Sequence, residues 1–431
     1  SFVAQPIASA PGRLRYQWQY MAGPNDRIEA QSVSYLDYGK RLAVSTFANY
    51  GAFALALHAR ARGKSAPTPH IRRLALRLTA SLPDARSKVL ALASWVRNNI
   101  GHVAIPVGLG SALPLAAGAV LTAREGDGEN HATLLGALLE SIGIVSSAAL
   151  VNGDNAYHLP RTPTLGILNH MITYVPSLDL FLDPTSAATA PGYLPPQLMG
   201  KPVLLIPSGR VAALPSSQHE QISNRIEFDV GNSGRSRFRV VKTAAGALAE
   251  SYRQAIRATK QSERESFVTR MLADIGQRGD GVFDAGQQDG SGERYQMAFA
   301  GISENFTHFP GPTGIATSFN AWGGIAEFAH ALAREKQRTQ AFVCHGVDSR
   351  DETRFTFAPG IDILALPKNL ALQGSTLTYR VHYARSGNTV TVRRHLRFSP
   401  LAVPCAASDW PALQALLAQV MHDLDSRISV R

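Results

Sequence analysis

The chain contains 431 residues, of which 45% are hydrophobic and 17% are charged, so it is a folded protein too long for one compact core, and two or three domains are expected. Its 43 lysines and arginines against 32 aspartates and glutamates give a formal net charge of +11, which favours acidic or phosphate-bearing partners. The basic residues are scattered, and the densest cluster, residues 58–64, contains no Phe, Tyr or Trp, so a nucleic-acid partner is not predicted.

Residues 13–47 are predicted to form β-strands. Large residues alternate along residues 14–20, and residues 42–47 form a second short run. Since two strands are rarely stable alone, we interpret residues 1–47 as the end of a β domain whose earlier part is absent. The chain opens at Ser1 without a basic and apolar leader, and we expect any signal peptide to have been removed or to lie outside this sequence.

Helical periodicity begins near residue 48. Helices are predicted over residues 49–62, 68–80, 87–99 and 129–142. The last of these has Asp127 as its N-cap and Gly143 just after its end. Before it, residues 105–123 form the longest uncharged stretch, but the prolines and glycines within it would break a spanning helix. A loop is predicted there, and no transmembrane segment.

The pattern becomes mixed after the fourth helix. Strands are predicted over residues 145–151, 168–175 and 178–183, followed by a proline-rich linker over residues 202–215. Further helices are predicted over residues 244–260, 262–278 and 410–426, with several strands and a hairpin over residues 376–398. We therefore assign a core domain to residues 48–207 and a C-terminal β-rich domain with helices to residues 216–431.

The two cysteines, Cys344 and Cys405, cannot form a metal site alone, and no CxxC or HExxH spacing is present. No metal and no cofactor are predicted. Each cysteine follows a strand-like run, and a disulfide between them is one interpretation if the protein is exported. The sequence leaves the pairing open.

The start of the fourth helix is a suitable place for a nucleophile. A cysteine at a helix N-terminus has a lowered thiol pKa, and the free N–H groups there can hold an oxyanion. The sequence Gly126-Asp127-Gly128-Glu129 places residue 128 in this first turn, after the Asp127 cap. The residue is glycine, which has no side chain and cannot attack a substrate.

A histidine and an aspartate on the following strands could complete such a site. A turn centred between Pro176 and Ser177 would place His170 directly opposite Asp183. Directly opposed residues are close enough for a hydrogen bond between the imidazole and the carboxylate. Such a carboxylate would fix the tautomer of a histidine that acts as base and then as acid.

Several segments carry a family resemblance: GDGENHATLLGALLESIGI, AALVN, NHMITYVP and LFLDPT, with SWVRNNIGHVAIPVG and YGKRLAVSTFANYGA before them. Together they resemble bacterial transglutaminase-like proteins that carry a DUF3857 β domain before a transglutaminase core. The resemblance covers about residues 30–210. In the family's pattern a cysteine stands where this chain has Gly128, and its histidine and aspartate match His170 and Asp183.

The resemblance implies an α+β fold: a transglutaminase-like, papain-type core with a partial N-terminal β-sandwich domain and a C-terminal domain that mixes strands and helices. It implies cysteine acyl transfer, amide hydrolysis or peptidase activity in intact members. A peptide, amide or glycan substrate would bind in a cleft at the Gly128 helix start. Export, to the periplasm of a bacterium, is also expected.

Gly128 leaves the function of this chain open. It could be an engineered replacement of a cysteine or a natural loss, and the chain is inactive as written in either case. The rival function is a natural pseudoenzyme that binds a peptide or glycan or docks a partner. A third alternative is glycan hydrolysis by the carboxylates of Asp127 and Glu129, although adjacent helix positions diverge. The sequence does not predict an oligomeric state.

Four neighbouring residues are given structural rather than catalytic roles. His131 lies one turn into the helix and is predicted to be a surface or capping residue. Trp95, Tyr157 and His158 could line a cleft, but core packing and loop structure are the preferred interpretations.

Overall fold

The computed structural model describes residues 5–7, 15–17, 27–103, 113–288, 292–319 and 323–431. Helices and strands are mixed, with a five-stranded sheet in the first half of the chain and an eight-stranded sheet in the second. No helix in these ranges is long and apolar enough to cross a membrane. Residues 14, 18–20 and 105–112, which belong to a predicted strand and a predicted loop, lie outside the described residues.

The first half has six helices, four of which were predicted with ends shifted by no more than about two residues. They are α1 (Tyr35–Tyr38), α2 (Tyr50–Ala61), α3 (Pro69–Thr79), α4 (Ala85–Asn99), α5 (Ala117–Ala123) and α6 (Gly128–Glu140). The strands are β1 (Gln5–Ile7), β2 (Arg15–Gln17), β3 (Gly101–His102), β4 (Glu125–Gly126), β5 (Ser147–Val151), β6 (His170–Val175), β7 (Leu180–Leu182), β8 (Pro202–Leu205) and β9 (Val211–Ala213).

Three of the elements predicted between residues 42 and 215 are wrong. Residues 42–47 form no strand, and α5 is a helix where a loop is predicted. The proline-rich linker is instead a hairpin, because β8 pairs with β5 on one side and with β9 on the other. Proline is tolerated at the first residue of a strand, which is where Pro202 lies. A short apolar run is compatible with a helix, a strand or a loop. Its conformation in these segments is set by the elements that pack or pair with it.

The five-stranded sheet is antiparallel throughout, in the order β7-β6-β5-β8-β9. Helix α6 packs on one of its faces, where Leu134 and Leu138 share a core with Val175 and Leu182. Helix α4 contributes to the same core through residues such as Val96. This packing sets the start of α6 beside the start of β6.

The helices of the second half are α7 (Ala247–Ala258), α8 (Gln261–Glu265), α9 (Phe267–Asp274), α10 (Ile325–Leu332) and α11 (Trp410–Leu424). The strands are β10 (Glu220–Val230), β11 (Ser236–Gly246), β12 (Gly279–Asp284), β13 (Arg294–Ser303), β14 (Thr313–Ala316), β15 (Val347–Phe357), β16 (Ile363–Ala365), β17 (Leu370–Gln373), β18 (Leu377–Ser386), β19 (Thr389–Phe398) and β20 (Arg427–Val430). The predicted hairpin is present as β18 and β19. The helix predicted over residues 262–278 is interrupted at Ser266 and ends early.

The eight-stranded sheet has the order β12-β13-β11-β10-β15-β19-β18-β17. All neighbours are antiparallel except β10 and β15, which are parallel. Helices α9 and α11 pack on one face through a core that includes Phe228, Phe355, Tyr379 and Trp410. Residues at alternate positions point to the opposite face, which is largely exposed.

A disulfide joins Cys344 to Cys405, whose Cα atoms lie 5.8 Å apart, so the pairing that the sequence leaves open is formed. The segment just before Cys344 also contacts residues near the N-terminus, where the Val33 N–H donates a hydrogen bond to the Ala341 carbonyl oxygen at 3.0 Å. Assignment of residues 1–47 to a separate β domain stays a prediction, as do the boundaries at residues 207 and 216.

Candidate functional site

The start of α6 is built by a capped turn. Asp127 is the N-cap, and its Oδ1 accepts a hydrogen bond from the Asn130 N–H at 2.9 Å. The turn is held from behind by the short parallel pairing of β3 with β4, in which His102 lies beside Gly126. The predicted cap is therefore present, and it places residue 128 in the first turn, where N–H groups lack intrahelical acceptors.

Gly128 is a glycine that neither space nor backbone conformation requires. A Cβ built at this position would lie 3.5 Å from His170 Nδ1 and 3.6 Å from the Met171 carbonyl oxygen, which are ordinary contact distances. Gly128 is also not among the glycines with positive φ in the described ranges. A Cβ therefore has room here, and it would face a ring nitrogen of His170.

His170 and Asp183 are in contact. His170 Nε2 lies 2.9 Å from Asp183 Oδ2, and the two side chains are 19% and 4% exposed. The other carboxylate oxygen of Asp183 accepts hydrogen bonds from the backbone N–H and the hydroxyl of Thr185, at 2.9 and 2.6 Å. The aspartate is thus fixed on both sides. With Nε2 as the donor to Asp183, the Nδ1 lone pair of a neutral imidazole faces position 128.

The pair favours its charged form. Burial alone lowers the pKa of His170, but the hydrogen bond to Asp183 and its negative charge outweigh this and raise the pKa above its ordinary value. Burial raises the pKa of Asp183, but the hydrogen bond and charge of His170, together with the Thr185 hydrogen bonds, lower it overall. Both shifts agree with an imidazolium next to a carboxylate.

The predicted register of this hairpin is wrong by two residues. The turn is a 3₁₀ segment, Pro176–Leu178, followed by Asp179 with φ +45°, and Thr173 pairs with Leu182. Continued outward, this register sets His170 opposite Thr185 rather than Asp183. The histidine ring therefore reaches its aspartate diagonally across the two strands.

The loop of residues 152–154 supports His170 from the other side, a contact that no sequence pattern predicted. The Gly153 N–H donates to Asn169 Oδ1 at 2.7 Å, and a Cβ on Gly153 would lie only 3.1 Å from His170 Cβ. Lys201 is fully buried, and its Nζ donates to the carbonyls of Asn152, at 3.0 Å, and Asp154. Burial lowers the pKa of Lys201 to about 8. A lysine isolated in sequence gives no signal for this role.

His131 is buried, so the prediction of a surface position for it is wrong. It is 0% exposed, with Nδ1 2.8 Å from the Asp127 carbonyl oxygen and Nε2 3.2 Å from the Ile100 carbonyl oxygen. It therefore ties the capped turn to the end of α4. Its ring also meets His102 edge-on, at 5.7 Å between centroids.

The residues given packing or loop roles occupy them. Trp95 packs at the edge of the α4–α6 core, and the Arg124 guanidinium lies over its ring at 5.2 Å. Tyr157 is buried against Val33. His158 is exposed, with Nδ1 3.6 Å from Asp37.

Glu129 is 5% exposed, and its Oε2 has no hydrogen-bond partner among the described residues. Burial and the nearby charge of Asp127 raise its pKa to about 7. The Asp127 carboxylate caps the helix, whereas the Glu129 carboxyl group is buried with one oxygen unpartnered among the described residues. Within the described part of the chain, no three His, Cys, Asp or Glu side chains lie close enough together to hold a metal ion.

One family model matches part of the C-terminal half of the chain, and a solved structure is similar in fold. The family model DUF3858, a domain of unknown function with a solved structure, matches residues 322–430. The crystal structure of a putative protease from Parabacteroides distasonis is similar over 100% of this chain and 67% of that chain, with a TM-score of 0.59 and 15% sequence identity. At this identity the likeness shows the fold alone. No curated protein matches the chain.

Proposed function

We propose that Gly128, His170 and Asp183 form the site of a transglutaminase-like cysteine acyl-transferase, amidase or peptidase that lacks its thiol. One observation carries the proposal: a side chain at position 128 would face His170 Nδ1, while Nε2 of the same ring is bonded to Asp183. This is the linear order of nucleophile, base and orienting carboxylate that thiol acyl transfer requires.

With a cysteine at position 128, each group would have a defined task. His170 would take the thiol proton at Nδ1, and the thiolate would attack the carbonyl carbon of an amide. The N–H groups at the start of α6 would hold the resulting oxyanion. His170 would then give the proton to the leaving amine as the carbon–nitrogen bond breaks. An amine or water would release the acyl group. With Gly128 there is no atom to attack, so the chain as written is inactive.

The second candidate is a natural pseudoenzyme, favoured by Gly128 itself. The cleft would then bind a peptide or glycan, or dock a partner, without chemistry. The Cys344–Cys405 disulfide supports a further part of the proposal, export to an oxidising compartment such as a bacterial periplasm.

Gly128→Cys tests the proposed site. Because His170 would deprotonate the new thiol, iodoacetamide should alkylate it about tenfold or more faster than free cysteine near neutral pH. A matched control is Gly136→Cys, on the same helix, where a Cβ also has room (3.9 Å to Ser146 Oγ) but lies far from the helix start. The control should react no faster than free cysteine.

The double variant Gly128→Cys/His170→Ala separates the candidates. Loss of the fast alkylation on removal of His170 would support a thiol site. Ordinary reactivity of Gly128→Cys in the folded protein would instead favour the pseudoenzyme. Mass spectrometry of the modified peptide identifies which thiol has reacted.

A further inference from the structure

The open face of the eight-stranded sheet is rich in arginine. It forms a trough of about 1200 Å³. Six exposed arginines from different strands line it: Arg225, Arg239, Arg294, Arg350, Arg380 and Arg393. The helices that pack on this sheet use its other face, so nothing within the described ranges covers these side chains.

Charge accumulates in rows across the strands. In one row Glu227 lies between Arg239 and Arg354. In the next row Glu352 lies between Arg225 and Arg393. Each carboxylate is therefore outnumbered by its neighbours.

A third row joins Arg350, His395 and Arg380 and contains no acid. Successive rows are about 7 Å apart, two residues along a strand. A polymer that runs along the strands would meet surplus positive charge at each row.

Several of these arginines have no acidic partner of their own. Arg393 and Arg350 form ion pairs with Glu352 and Asp348, at 2.7 and 3.5 Å. In the part of the chain that the structure describes, no ion pair involves Arg225, Arg239 or Arg380. Guanidinium groups bind carboxylates and tetrahedral oxyanions through two parallel N–H groups, so they suit an anionic partner.

The other residues of the trough restrict the kind of anion. No Phe, Tyr or Trp is among the described lining residues, so the only aromatic rings on which nucleobases could stack there are the imidazoles of His382 and His395. Few apolar residues could anchor an acidic helix. Neutral hydrogen-bonding side chains stand among the arginines instead, including Ser223, Thr243, Gln296 and Asn369. Hydroxyl-rich and acidic groups on one polymer match this mixture.

From this arrangement we propose that the open face of the sheet binds an anionic polysaccharide. Acid groups of the polymer pair with arginines of the successive rows, and its hydroxyls bond to the neutral side chains between them. This binding does not depend on the chemistry of the Gly128 site. Carboxylate and sulfate polymers share the recognised chemistry, and the experiment distinguishes them.

The test is binding of the full chain to polygalacturonate and to dextran sulfate, measured by isothermal titration calorimetry. The triple variant R225Q/R239Q/R380Q should weaken the preferred polymer about tenfold, since each exposed charge pair contributes modestly. The matched control R72Q/R73Q/R77Q removes the same charge from exposed positions of α3 and should change the affinity by less than about twofold. Thermal unfolding checks that both triple variants are folded. If either is not, the single substitutions of the trough set are compared with those of the α3 set.

Poly-glutamate, oligo-dT and neutral dextran complete the comparison. Poly-glutamate and oligo-dT should each bind at least about tenfold more weakly than the preferred polysaccharide at the same salt concentration. Neutral dextran should not bind. Equal affinity for poly-glutamate or oligo-dT would overturn the assignment to polysaccharide. No binding of either polysaccharide, or equal losses in the trough and α3 variants, would overturn the trough as a site.

Discussion

Two histidine–aspartate pairs in this protein have nearly the same geometry in different surroundings. His170 Nε2 lies 2.9 Å from Asp183, and His395 Nε2 lies 3.0 Å from Asp348. The side chains of the first pair are 19% and 4% exposed, and those of the second are 41% and 27% exposed. Distance therefore does not separate a candidate site from a surface ion pair. Burial and the neighbouring groups do.

The neighbours of the two pairs differ in kind. Thr185 holds the free oxygen of Asp183, and the free nitrogen of His170 faces the start of α6. Asp348 is instead shared with Arg350, at 3.5 Å, on the arginine-rich face. The first pair is thus held in one orientation toward one position. The second belongs to a solvated row of charges, where salt and water weaken each contact.

Removal of the aspartate should separate the pairs most strongly. Asp183→Ala leaves a buried imidazole and the Thr185 hydroxyl without their acceptor, and should lower the free energy of unfolding by about 3 kcal/mol. Asp348→Ala, the matched change in the exposed pair, should lower it by less than about 1 kcal/mol. Urea unfolding at neutral pH measures both. Similar losses would mean that burial of the first pair has no energetic consequence.

The pH dependence of stability should sharpen the comparison. The pKa of His170 is raised above 6.5 in the folded protein, so its contribution is full below about pH 6.5 and is lost as the pH rises through the folded value. The pKa of Asp183 is lowered below 3.8, so its contribution is present above about pH 3.8 and is lost as the pH falls through the folded value. The difference in unfolding free energy between wild type and His170→Gln should therefore be largest between these limits.

Urea unfolding over a pH series checks this expectation, with His395→Gln as the control. The control difference should be smaller and should shrink in high salt, because both of its side chains are partly exposed. The ordinary pKa values of aspartate and histidine, about 4 and 6.5, bound the pH range in which the difference should be largest. If the difference for His170→Gln stayed constant up to about pH 9, well above that range, the pairing would be contradicted.

Two glycines beside His170 give the smallest expected effects, of opposite sign. Gly153→Ala places a Cβ 3.1 Å from His170 Cβ and should destabilise the protein by about 1 kcal/mol. Gly128→Ala meets the same ring at 3.5 Å with no backbone constraint and should stabilise it by about 0.5 kcal/mol. Thermal unfolding resolves the signs. Destabilisation by Gly128→Ala would show that the space at position 128 is smaller than its distances indicate.

Local sequence patterns predicted the start of α6 better than they predicted the register of the hairpin that follows. The Asp127 cap and α6 follow from local patterns, and the structure contains both. The contact between His170 and Asp183 was expected from a direct cross-strand pairing, but the 3₁₀ turn shifts the register and the contact is diagonal. Turn geometry depends on a few backbone angles that residue types restrict only weakly.

The sequence by itself determined what depends on near neighbours: helical periods, helix caps, and the hairpin of β18 and β19. Tertiary structure alone decided which distant residues meet. Lys201 donates hydrogen bonds to the loop beside His170, and arginines from six strands lie on one face of a sheet. Strand order and register bring such residues together, and they are settled by the packing of the whole chain rather than by the residues around each position.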